Sequence, residues 1–180
     1  IPSLSYSHPK YKANGRYWLG GVWPGTNYMV ISGLVEKGYR QLAWDIALNH
    51  YQNVFKVFQK TNTFWEYYAP EDAAPGFMAR RDFVGWTGLP PIAILIEYIF
   101  GIRANAADNK LTIDVNLTDG YGISRYPFGQ DGLMDIKVAK RTSQNEKPKV
   151  TIKTNKPVEV QLMWGEKEQT TKVKSGTTTL

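Results

Sequence analysis

The sequence predicts an α+β chain in two parts, a helical first half followed by a small antiparallel β-sandwich. Three observations carry this. Between residues 25 and 60, apolar side chains recur at spacings of three and four, the period of a helix. Residues 61 to 88 are rich in proline, glycine, tryptophan and charge, and show no regular period. After Arg103, apolar and polar residues alternate, the period of a half-buried strand. The implied division is one domain over residues 1–102 and a second over 103–180.

The first helix is expected in GTNYMVISGLVEKGY, with Thr26 as a candidate N-cap and Gly38 as its stop. The second, YRQLAWDIALNHYQNVFKVFQ, runs without proline or glycine. Ala43, Ala47, Tyr51, Val54 and Phe58 form its apolar stripe, and Trp44, Leu48, Phe55 and Val57 widen it. A stripe that broad belongs to a helix covered on more than one side. His50 is expected on the helix surface and His8 in a linker. A third helix, PPIAILIEYIFG, opens with prolines, which suit a first turn, and closes at Gly101. The segment between the second and third helices is long for a loop inside a compact domain, and such loops are commonly functional.

The strands follow from alternation at Leu111, Ile113, Val115 and Leu117, at Met134, Ile136 and Val138, at Val150 and Ile152, and at Val158, Val160, Leu162 and Trp164. Turn-like spacers, among them LTDGYG, GQDG, SQNEKP and TNKP, separate them. That spacing predicts a small antiparallel sandwich. Tyr121, Tyr126, Phe128 and Trp164 are expected as core or corner residues.

Composition narrows the function. The chain has 180 residues, 42% of them hydrophobic, so a packed core is expected. Its net charge is +6, made of 9 basic and 7 acidic residues before Ile102 and 13 and 9 from there on. No basic block stands out, and nucleic acid is not expected as a partner. Without cysteine there is no disulfide, thiolate metal site or cysteine nucleophile. With histidine only at positions 8 and 50, no metal site is expected. No phosphate-binding loop occurs, so no cofactor is expected. No apolar run is long enough to span a membrane, and IPSLSYSHPKYK lacks the pattern of a signal peptide. That opening does not look like a natural start, and the chain is expected to be the tail of something longer.

Three clusters carry candidate chemistry. TFWEYYAP places Glu66 among Phe64, Trp65, Tyr67 and Tyr68. A carboxylate among rings loses hydration, which should raise its pKa and help it accept a proton from water near neutral pH. YWLGGVWPGTNY, residues 17–28, combines rings with Gly20 and Gly21, which permit close backbone approach. RRDFVGWTG, residues 80–88, holds Asp82 and Trp86. Sugar rings stack on tryptophan and tyrosine while acids and amides bind their hydroxyls, so these clusters point to carbohydrate. Each has a plainer reading too: a surface carboxylate beside core rings, a tight entry turn, an arginine–aspartate pair.

In this order, YWLGGVWPGTNY, TFWEYYAPEDAAPG and DFVGWTG resemble the closing part of the catalytic domain of (α/α)6-toroid glycoside hydrolases. The group in question is glycoside hydrolase family 63, which includes processing α-glucosidases and mannosylglycerate hydrolases; trehalases are similar but more distant. GYGISRYPFG and the later KRTS look like the sandwich that ends many bacterial members. The resemblance implies helical hairpins of a toroid, incomplete in this chain, followed by the sandwich. It implies Glu66 as the general base of an inverting mechanism. It places Tyr17, Trp18, Trp23, Asn27 and Trp65 at the sugar pocket and Trp86 near the base. Asp82 would steady the loop or a substrate hydroxyl, and Tyr67 and Tyr68 would support the base. The family's general acid is an aspartate well upstream of the first cluster, but none of the sixteen residues before Tyr17 is acidic.

The implied partners are an oligosaccharide or small glycoside and the remainder of the toroid, as an upstream segment or a second chain. Hydrolysis by this chain alone is not expected. A carbohydrate-binding module or a structural module without catalysis is the alternative. A periplasmic or secreted setting is favoured over a cytoplasmic one.

Overall fold

The computed structural model describes residues 1–180, which divide into two compact units, Ile1–Leu95 and Ile96–Leu180. In the first unit, helix α1 (Pro24–Glu36) and helix α2 (Arg40–Thr61) pack against each other across a short link. Helix α1 starts two residues before the expected N-cap. Pro24 occupies its first turn, where a missing N–H leaves no bond unmade. The Thr26 hydroxyl donates back to Trp23 O (3.0 Å) and does not cap the helix. The stop at Gly38 is as expected, because its φ of 84° suits glycine. Helix α2 closes at Asn62, which takes the left-handed conformation (φ 52°).

The buried face of α2 is Ala43, Ala47, His50, Val54 and Val57. His50, expected at the surface, is only 4% exposed. It lies three residues after Ala47 and four before Val54, so the helical period carries it inward with them. Val54, Val57 and Tyr68 form a small core, closed at its edges by Val22, Phe64, Trp65 and Ala73. The third helical segment, Pro90–Ile99, is a π-helix and not an α-helix. At its start the Ile94 N–H reaches back five residues to Leu89 O (2.8 Å), the wide spacing of that form.

The second unit contains eight strands in two sheets. One sheet has the order β1 (Ile102–Asn105), β2 (Lys110–Asp114), β6 (Val158–Trp164), β7 (Lys167–Val173). The other has the order β3 (Tyr121–Pro127), β4 (Leu133–Val138), β5 (Val150–Thr154), β8 (Gly176–Thr179). The alternating residues face one shared core, which includes Leu111, Ile113, Met134, Ile136, Ile152, Val160 and Leu162. Pairing is antiparallel with one exception. Strands β2 and β6 run parallel, with Leu111 beside Val160 and Ile113 beside Leu162. This departs from the all-antiparallel expectation: β3, β4 and β5 belong to the other sheet, so the chain leaves the first sheet and returns to it in the same direction. Edge strand β7 is polar and charged, which discourages pairing with another molecule.

Phe128 and Trp164 are buried, and Tyr121 and Tyr126 pack against the same core, so the aromatics here form no exposed platform. Arg141 is buried and held chiefly by backbone carbonyls. Its guanidinium donates to the carbonyls of Val115 (2.7 Å), Leu117 (3.1 Å), Gln144 (2.8 Å) and Glu146 (2.9 Å), tying two loops together. No helix is long and apolar enough to cross a membrane.

Candidate functional site

The three aromatic clusters are far apart in sequence but meet in the first unit. The first joins the second through a two-way backbone pair, Val22 N–H to Tyr68 O (2.9 Å) and Tyr68 N–H to Val22 O (3.0 Å). The second joins the third along a short antiparallel clasp. Glu66 N–H donates to Arg80 O (2.9 Å), Phe83 N–H donates to Phe64 O (3.1 Å), and Trp65 pairs with Arg81. A side-chain tie closes its end, where Thr63 Oγ1 donates to Asp82 Oδ1 (2.6 Å).

The ring cluster built on these pairs has a buried floor and a half-exposed rim. Trp23 and Tyr67, 3% and 2% exposed, stack at 4.5 Å between centroids. Trp18 stacks on Trp23 at 4.3 Å. Tyr17 meets Trp23 edge-on at 5.1 Å and Tyr67 at 5.8 Å. Trp86 meets Trp23 at 5.8 Å and Phe83 at 4.9 Å. Tyr17, Trp18 and Trp86 are each about half exposed, so the cluster offers ring faces to a ligand above a fixed base.

Glycine geometry shapes this surface. The chain reverses at Arg16–Leu19, and Gly21 N–H donates to Tyr17 O (2.9 Å). A Cβ on Gly21 would stand 2.4 Å from that oxygen and 3.0 Å from the Tyr67 ring. The reversal lifts Tyr17 into the left-handed region at φ 48°, an uncommon conformation for a bulky residue. Strain of this kind tends to collect where a side chain must be aimed. Gly76 packs tightly under Tyr67: a Cβ there would come within 2.3 Å of the ring.

Glu66 is half-buried beside this cluster. Both of its backbone groups are held by the third cluster: its N–H by Arg80 O, and its carbonyl by the Trp86 indole N–H at 2.8 Å. Burial raises the pKa of the Tyr67 hydroxyl, and the charge of Glu66 raises it further. That hydroxyl donates to Phe77 O (2.8 Å).

Tyr17, Trp18, Trp23 and Trp86 therefore gather beside Glu66, as does Tyr67, whose position at the floor the sequence alone left as loop support. Asn27, Trp65 and Asp82 lie outside the ring cluster. Asn27 is fully buried, and its amide donates to Trp23 O (2.9 Å) and Ile1 O (3.0 Å), which fixes the start of α1. Trp65 packs against the Val54–Val57–Tyr68 core and donates its indole proton to Thr61 Oγ1 (3.0 Å). Asp82 is exposed, with φ 57°, and holds Thr63. Thr87 carried no signal in the sequence, yet it is buried and its hydroxyl donates to Phe83 O, which anchors the turn bearing Trp86. Side chains of types that bind metals do not cluster in threes.

Residues 1–87 match the model of the mannosylglycerate hydrolase MGH1-like glycoside hydrolase domain. The chain is 29% identical over 99 residues to a probable mannosyl-oligosaccharide glucosidase of Schizosaccharomyces pombe, covering 49% of this chain and 12% of that protein. It is 34% identical over 97 residues to mannosylglycerate hydrolase MGH1 of Selaginella moellendorffii, covering 54% and 18%. An uncharacterized protein of Borreliella burgdorferi is 23% identical over 134 residues, covering 68% and 28%. The chain thus spans between 12% and 28% of the length of these relatives. No solved structure matches it.

Proposed function

We propose that this chain, whose residues 1–87 belong with the MGH1-like glycoside hydrolase domains, supplies the base-bearing part of an inverting glycoside hydrolase acting on α-linked glucosides or mannosides. The observation that carries the reading is the convergence of three separate aromatic clusters on the segment that bears one acid, Glu66, whose peptide the third cluster holds. The relatives' names, a mannosyl-oligosaccharide glucosidase and a mannosylglycerate hydrolase, put glucosides and mannosides forward as substrates.

In this mechanism a sugar ring lies against the half-exposed faces of Tyr17, Trp18 and Trp86. Trp23 and Tyr67 beneath them keep those faces in place. Glu66 removes a proton from a water molecule as that water attacks the anomeric carbon. A second carboxylic acid gives its proton to the departing glycosidic oxygen. In inverting enzymes the two carboxyl groups stand about 6.5 to 9.5 Å apart, leaving room for the water. Because the family it resembles carries its general acid as an aspartate upstream of the first cluster, we assign the proton donor to residues outside this chain, within the remainder of an (α/α)6 toroid that residues 1–102 help to complete. Residues 103–180 form the sandwich domain that follows. On this reading the chain alone does not hydrolyse glycosides, and its setting is periplasmic or secreted.

The test is the anomer formed first by the full-length protein, read by proton NMR on aryl α-glucosides and on mannosylglycerate. The β-anomer is the expected first product. A first product of retained configuration, or no hydrolysis of either substrate class, overturns the proposal.

A further inference from the structure

The hydrogen bonds around Glu66 single out Trp86. Its indole N–H donates to the carbonyl of Glu66 itself (2.8 Å), while the Glu66 N–H donates to Arg80 O (2.9 Å). The peptide of the acid is thus gripped at both ends by one loop, residues 80–86. An indole has a single donor. With that proton on Glu66 O, none is left for a sugar hydroxyl.

The support behind the donor is rigid. Trp86 opens a short 3₁₀ turn, Trp86–Gly88, in which Gly88 N–H reaches Val84 O (3.1 Å) and Leu89 N–H reaches Trp86 O (3.1 Å). Thr87, next to it, is fully buried and bonded to Phe83 O. The ring is held against Phe83 and Trp23 at 4.9 and 5.8 Å. Within its own segment, between helix α2 and the turn at residues 69–74, the ties fall on its neighbours, Trp65 N–H to the Tyr68 hydroxyl (3.3 Å) and the Trp65 indole to Thr61 Oγ1 (3.0 Å), whereas the Glu66 peptide itself is held by the 80–86 loop.

We propose that Trp86 is a positioning residue for the base, its indole N–H fixing the Glu66 peptide and, through it, the direction of the carboxylate. This rests on the reading of Glu66 as the base. It differs from the sugar-platform role in what the residue must keep: a platform needs the ring face, whereas a positioning residue needs the N–H. A misplacement of about 1 Å in a catalytic group costs on the order of 10²-fold in rate.

The experiment compares four variants of the full-length enzyme on aryl α-glucosides and mannosylglycerate: Glu66→Gln, Trp86→Phe, Trp86→Ala, and Trp86 replaced by benzothienylalanine, which has the shape of tryptophan without the N–H. Thermal unfolding checks that each is folded, and benzothienylalanine serves if Trp86→Phe does not fold. Positioning is expected to lower kcat at least about tenfold in both Trp86→Phe and the benzothienylalanine variant, with KM changed less than about threefold. Wild-type kcat in both, with a raised KM only in Trp86→Ala, overturns the inference and leaves Trp86 a platform. Wild-type turnover in Glu66→Gln removes the base assignment and the inference with it. A large loss in Glu66→Gln beside unchanged Trp86→Phe and benzothienylalanine variants removes the inference alone.

Discussion

The replacement Gly76→Ala probes the packing that holds the ring cluster together. The added methyl would stand 2.3 Å from Tyr67 Cδ2, 2.5 Å from Cε2 and 3.0 Å from Gly15 O, whereas ordinary contact begins near 3.4 Å. The Tyr67 ring must retreat by about 1 Å, but Trp23 stacks on it at 4.5 Å and Tyr17 meets it at 5.8 Å. Its bond to Phe77 O, worth about 1 kcal/mol, breaks as it moves. Overpacking adds about 1–3 kcal/mol. A total loss of about 2–4 kcal/mol should lower Tm by at least about 8 °C for a unit of this size. Five of the six tryptophans lie in the first unit, so fluorescence during heating reports mainly on it. Gly33→Ala is the control. Gly33 lies inside α1 with nothing within 4 Å of the new methyl, and alanine there should add about 0.5–1 kcal/mol of stability. A Gly76→Ala Tm within about 2 °C of wild type would refute the account of the Tyr67 floor.

Two further expectations concern polar groups in the interior. Arg141→Lys replaces a planar fork that serves four carbonyls with a single ammonium, and should destabilise the β unit by about 2–4 kcal/mol in denaturant titration. Burial pushes the His50 imidazole down from 6.5 to about 3. The unfolded chain takes up this proton below pH 6.5 and the folded chain does not, so stability should fall by on the order of a few kcal/mol as pH drops from 6.5 toward 3. His50→Leu should flatten that part of the pH profile, and an unchanged profile would show that another group sets it.

The periodicities in the sequence located α2 and most of the sandwich core because burial follows period directly. Ala43, Ala47 and Val54 on the helix, and Leu111, Ile113, Ile136 and Val160 in the strands, are buried where alternation and spacing placed them. The same pattern left the exact edge of the helical face open. His50 is buried while Tyr51 and Phe58 are only half-buried, because a shift of one residue turns the face by about 100°; Val57, expected at the widened edge, is fully buried. Alternation says which side chains face the core but not which strand lies beside which, so the parallel β2–β6 pair was hidden. In the candidate site, ring content pointed to the three clusters, and the family resemblance to Tyr17, Trp18, Trp23 and Trp86 within them. The partners that assemble them are backbone groups, such as Val22 with Tyr68 and Glu66 with Arg80, and carry no residue signature. Gly76 in Ala-Pro-Gly reads as an ordinary turn residue, and only the ring lying over it explains the glycine. The family resemblance places Asn27 and Trp65 at the sugar pocket, and in this fold their polar groups bond within the protein.

The most direct measurement is steady-state turnover of aryl α-glucosides and mannosylglycerate by full-length Glu66→Gln, a change that keeps the shape of the side chain and removes its basicity. If Glu66 takes the proton from the attacking water, kcat should fall at least about 10²-fold while substrate binding is retained. Turnover equal to wild type in a folded Glu66→Gln protein would contradict the account.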